Sequence, residues 1–186
     1  MEKTDMRKVF YIILTAVITG IAGAQETRKE FTSPPSRYDT LANSDSVPEV
    51  YAIEARFERV VVLRLKYGTD LLEGIEKWTK GNGIRNAVII AGTGSVTSFH
   101  YHAISNLGFP TRNIFVRNDS SPADIVSMNG YIVNGRVHTH VTFTHADKAF
   151  GGHLEQGTGV FTFAIVTLGV LPDTADLSRI DDKNYR

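Results

Sequence analysis

Cysteine is absent from the 186 residues. That removes disulfides, thiolate metal ligands, a cysteine nucleophile and a lipid-bearing cysteine at once. Any metal ligand has to come from His, Asp, Glu or water. Net charge is missing too, because 20 basic residues balance 20 acidic ones. A chain that holds nucleic acid by its phosphates carries a basic excess or a basic stripe, and neither is present. Long apolar runs are scarce. The one near the N-terminus, Val9 to Ile21, falls short of the roughly 20 residues a membrane-spanning helix needs. It follows Arg7 and Lys8 and precedes Ala22-Gly23-Ala24. Basic, then apolar, then small is the order of a secretory signal peptide. Residues 1–24 are therefore expected to be a cleaved leader, giving an exported protein, periplasmic or extracellular, with no membrane span after cleavage.

What remains is enough for one domain with a sizeable core. Residues 25–50 are polar, with Pro34-Pro35 and many Ser, Thr, Asn and Asp, and read as a disordered spacer. Residues 51–171 carry the periodic patterns of a folded domain, and 172–186 read as a polar tail. Tyr51 to Lys66 alternates as one or two strands, with Val60 to Leu63 as its most buried part. Asp70 and Glu73 fit a capping box ahead of a helix whose buried stripe is Leu71, Leu72, Ile75 and Trp78. Gly81-Asn82-Gly83 ends it. Arg85 to Ala91 reads as a short strand, and Gly92-Thr93-Gly94-Ser95 as a tight turn or bulge before the next. No lysine and no following helix make that glycine stretch a phosphate loop. Ser105 to Ala123 reads as a long loop, broken by a short strand at Ile114 to Val116. Asn134-Gly135 is a two-residue hairpin signal. It joins a strand over Asp124 to Val133 to one over Arg136 to Thr144. Gly159 to Gly169 is apolar enough for the middle of a sheet. Strands, one good helix and then strands in antiparallel succession predict an α+β fold: a mainly antiparallel sheet with one principal helix packed on it.

The chemistry lies in histidine. Residues i and i+2 of a strand share a face, so His138 and His140 project together. The turn Gly151-Gly152-His153 can bring a third imidazole. Three neutral imidazoles suit Zn²⁺ or a similar divalent ion and leave a coordination position open. Glu155 would share the face of His153 if the segment is extended. There it could orient a ligand, complete the coordination or act as a base, and it is the one candidate catalytic residue. Asp147 is a further acid near the turn. His145 has the opposite parity and should face away. His100 and His102 form a second i, i+2 pair, either solvent-facing or lining the same cavity.

The run Leu65-Lys66-Tyr67-Gly68-Thr69-Asp70-Leu71-Leu72 is followed in order by four shorter motifs. These are Gly92-Thr93-Gly94-Ser95-Val96, Ile125 to Gly130, His138-Thr139-His140-Val141 and Gly151-Gly152-His153-Leu154. Together they resemble the PPC (plants and prokaryotes conserved) domain across roughly Tyr51 to Leu171. The resemblance implies an antiparallel α+β fold and a homotrimer. It also implies metal binding by His138, His140 and His153, as in bacterial members of this type. Plant members carry a basic AT-hook that reads DNA, and bacterial members are called DNA-binding by analogy. This sequence has no such hook. It also departs after Glu155, where bacterial relatives often have an acid and this chain has Gln156.

The expected function is thus an exported domain that binds a divalent metal, zinc by preference, with small-molecule binding or metal-assisted chemistry at the site. Two alternatives stand beside it: a DNA-binding protein, and a non-catalytic trimeric interaction module. The first alternative is opposed by the neutral charge, the missing hook and the leader. The sequence leaves open whether the protein is an enzyme.

Overall fold

The computed structural model describes residues 27–32 and 45–180. The leader expected over residues 1–24 lies outside them. The architecture is a nine-stranded sheet with a single helix.

Local signals account for the helix. The Asp70 carboxylate accepts the Glu73 N–H at 3.0 Å and starts α1 (Leu71–Gly81). An N-cap of this kind contributes about 1 kcal/mol. Asn82 closes the helix, its N–H and its side-chain amide both reaching the Trp78 carbonyl. Leu71, Leu72 and Ile75 are buried, and Trp78 packs partly buried against the same core.

The strands are β1 (Arg28–Thr32), β2 (Arg59–Lys66), β3 (Ala87–Val96), β4 (Phe99–Ile104) and β5 (Asn113–Asn118). They continue with β6 (Ala123–Val133), β7 (Arg136–Thr144), β8 (Ala149–Leu154) and β9 (Val160–Val170). Across the sheet the order is β1-β5-β4-β8-β7-β6-β3-β9-β2, and every pairing between them is antiparallel. The turn between β6 and β7 is Asn134-Gly135, with φ of 50° and 79°. Both central residues of a type I′ turn need that left-handed backbone, which explains the residue choice. Alternate residues of the strands face α1 and form one core, with Ile75, Phe143, Leu168 and Ile132 at its centre. Each such side chain contributes about 1.5–3 kcal/mol by leaving water. The opposite face of the sheet carries no helix among the described residues and is open around β7, which turns His138 and His140 toward it.

Several expectations are corrected. Arg28–Thr32, read as spacer, is a strand paired with β5. An edge strand is held by backbone hydrogen bonds and needs no apolar pattern, so polarity hid it. Val60 and Val62, read as buried, are 57% and 64% exposed, while Leu63 and Leu65 enter the core. Gly92-Thr93-Gly94-Ser95 does not separate two strands. It runs within β3, whose pairing with β9 shifts register on either side. The short strand expected at Ile114 to Val116 extends to Asn113–Asn118. The tail packs in part: Ala175 and Leu177 join Val133 and Leu171 in a second small cluster, and Asn86 donates to the Ala175 carbonyl at 2.9 Å. Among the described residues no helix is long and apolar enough to cross a membrane.

Candidate metal centre

The histidines meet because of register. In β7 the residues Val137, Thr139, Val141 and Phe143 are buried, which leaves His138 and His140 on the open face. On one side β6 places Tyr131 opposite His138 and Asn129 opposite His140. The Tyr131 ring stacks on His138 with centroids 4.8 Å apart. On the other side His153 of β8 stands opposite His140, and His102 of β4 stands opposite His153. Neighbouring strands are about 4.8 Å apart, so directly opposed side chains on one face touch. Ring centroids lie 4.6 Å apart for His138 and His153, 5.4 Å for His140 and His153, and 5.6 Å for His138 and His140. One ligand nitrogen from each of these three lies within 4.8 Å of the other two. A tetrahedral shell has bonds of about 2.0–2.1 Å, so the three atoms are near enough to close on one shared ion.

The three residues singled out from the sequence are thus brought together, but Gly151-Gly152-His153 belongs to strand β8 rather than to a turn. Glu155, just beyond β8, lies against His102, its Oε1 2.6 Å from the imidazole Nδ1. His102, Glu155 and His153 form a second group of ligand atoms within 4.8 Å of one another. His102 is therefore the residue that sequence reasoning left unassigned. Its signal was the second i, i+2 pair. His100, its companion, bonds the Gln156 carbonyl at 2.7 Å and belongs to neither group. His145 faces away, packed on Phe99 and Phe150, with its Nε2 3.3 Å from the Ser121 hydroxyl. Asp147 is exposed between β7 and β8 and joins neither group.

Electrostatics favour neutral imidazoles. Burial, followed by the charges of His138 and His102, lowers the pKa of His153 to about 4. The same causes lower that of His140. Both therefore keep a lone pair for a metal at neutral pH. For Glu155 burial pushes the pKa up. The His102 hydrogen bond and the charges of His102, His153 and His100 outweigh it, and the net shift is downward. An ionised carboxylate only accepts, so His102 Nδ1 carries the hydrogen.

The segment after Glu155 is tied to the helix. The second carboxylate oxygen of Asp70 accepts the Gly157 N–H at 2.7 Å, so the residue that caps α1 also fixes this loop. The buried Thr158 hydroxyl accepts the His100 N–H at 3.0 Å and lies 3.2 Å from the carbonyls of both His100 and Glu155. These bonds hold β4 and the Glu155 segment in step.

This sheet, with its one helix and its open histidine-bearing face, places the chain in a known class. The family model of the Plants and Prokaryotes Conserved (PCC) domain matches residues 52–172, and the chain belongs to that family. Among solved structures it is similar to a metal-containing protein from Archaeoglobus fulgidus, at 25% identity and TM-score 0.52, over 68% of this chain and 88% of that one. A plant- and prokaryote-conserved protein from Pyrococcus horikoshii shares 23% identity over 66% of this chain and 85% of its own, with TM-score 0.53. A hypothetical protein from Salmonella enterica shares 24% over 66% and 82%, with TM-score 0.54. The last two likenesses concern the fold alone. No curated protein matches the chain.

Proposed function

We propose that the chain binds one divalent metal ion, zinc by preference, through His138, His140 and His153. The observation that carries this reading is the convergence of three imidazoles within 4.8 Å on the open face of the sheet. The depressed basicity of His153 and His140 suits those two as ligands, and the metal-containing relative from Archaeoglobus fulgidus adds support. With three protein ligands, a bound ion would offer a position to water or to a small molecule, and would acidify the one or polarise the other. Glu155 is the nearby group that could hold a proton or orient such a ligand.

The test is elemental analysis of residues 25–186 produced without a polyhistidine tag. As purified, before any Zn²⁺ is added, about one ion per chain is expected, and only a trace in His138→Ala. No metal after incubation with excess Zn²⁺ would sink the reading.

The reading includes export and a homotrimer. Exposed Val60, Val62, Phe161 and Phe163 lie on the open side of β2 and β9 and supply an apolar surface for chain–chain contact. Light scattering of a monomer at micromolar concentration would remove the trimer, and a cytosolic full-length chain on fractionation would remove export. Duplex DNA is not an expected partner of a chain with no net charge.

A further inference from the structure

The five side chains His138, His140, His153, His102 and Glu155 fall into two overlapping triads that share His153. The second triad differs in chemistry from the first. It holds two imidazoles and a carboxylate, a harder and more negative set. Its geometry is fixed by the backbone. His102 is opposite His153 in the β4–β8 register, with ring centroids 4.6 Å apart and planes 28° from parallel. The Phe115 ring lies 4.9 Å from the other side of His102 and limits its movement. The backbone of Glu155 and Gly157 is held by the Thr158 and Asp70 contacts described above, and the Glu155 carboxylate by His102 Nδ1 at 2.6 Å. A group placed this firmly beside three convergent imidazoles is more than a surface acid.

We propose that His102, Glu155 and His153 form a second cation position, adjoining the three-histidine position and linked to it by the His153 ring. An imidazole has a nitrogen on each flank, and each can carry a lone pair once its proton is gone. With one ion on each flank, His153 gives up its remaining N–H proton to solvent and bridges the two. The hydrogen now on His102 Nδ1 moves to Nε2 of the same ring, freeing the Nδ1 lone pair of a still neutral imidazole and the Glu155 carboxylate for the ion. Metal uptake at this position is accompanied by proton release and strengthens as pH rises. The second ion needs the first to have fixed His153, so the proposal rests on the three-histidine reading.

Titration of the metal-free chain with Zn²⁺, followed by desalting and elemental analysis, separates the two. Wild type is expected to retain about two ions per chain, and Glu155→Gln and His102→Ala about one each. The Glu155→Gln change preserves shape, so it carries the test even where His102→Ala loses its fold. One ion in wild type that persists in Glu155→Gln overturns the second position and leaves the first standing. Two ions in both also overturns it, since the extra ion then lies elsewhere. No ion in wild type removes both positions.

Discussion

His153→Ala is expected to leave the purified chain with about a tenth or less of the wild-type metal, a loss at least as large as any other single histidine change on this face causes. The reason is position. His153 sits between β7 and β4 and is the only residue common to both ligand groups among the described residues. His138 and His140 come from one strand, and losing either leaves two imidazoles, too few to hold the first ion on which the second depends. Losing His153 leaves two fragments that no longer meet. Elemental analysis side by side with His145→Ala is the check. His145 packs on Phe99 and Phe150, away from both groups, so that variant should keep its metal. Equal metal in His153→Ala and wild type would show that the ion, if any, lies elsewhere.

His153 also governs the acid behaviour of the metal-free chain. Its pKa is about 4 when folded, against an ordinary value of 6.5. Between these values the unfolded chain binds a proton that the folded chain refuses. Stability that is fully present above pH 6.5 is therefore lost as pH falls toward 4. The ring is half-buried, so solvent screening cuts the full shift to about 1–2 kcal/mol. Denaturant melts in a chelator should show wild type losing stability from pH 7 to pH 4. A His153→Ala chain should lose less by that amount. Identical pH slopes would contradict the assignment.

Much of this was legible from sequence because it is local. Strand parity put His138 and His140 on one face and turned His145 away. The Asp70 cap and the Asn134-Gly135 turn are set by a few neighbouring residues. The family resemblance, resting on five short motifs in order, agrees with the family match. What escaped depends on pairing between distant segments. His102 became a partner of His153 only through the β4–β8 register, which no short motif encodes. β1 escaped for a different reason, since its backbone pairs with β5 without asking anything of its side chains. The exposure of Val60 and Val62 followed from which face of β2 meets α1. Alternation cannot choose between two apolar faces.

Gly151→Ala is expected to cost about 3 kcal/mol or more, lowering the melting temperature by on the order of 10 °C. Gly151 has φ of 155°, and a Cβ there would lie 2.0 Å from the Val141 carbonyl oxygen and 3.1 Å from the Thr142 Cα. These are backbone atoms of β7, so no side-chain rotation relieves the clash. Its neighbour Gly152 is confined from the other side, with a Cβ position 2.3 Å from the His102 carbonyl oxygen. The two glycines let β8 lie closely between β7 and β4, which is what aligns His140, His153 and His102 in one row. A methyl at Gly151 would push β8 off β7 and carry His153 with it, so metal retention should fall together with stability. Gly81→Ala is the control. No atom lies within 4 Å of a Cβ there, and at the end of α1 the change should stay within about 0.5 kcal/mol of wild type. If Gly151→Ala melts like Gly81→Ala, the close approach of β8 to β7 is wrong. The alignment of the histidines would then need another cause.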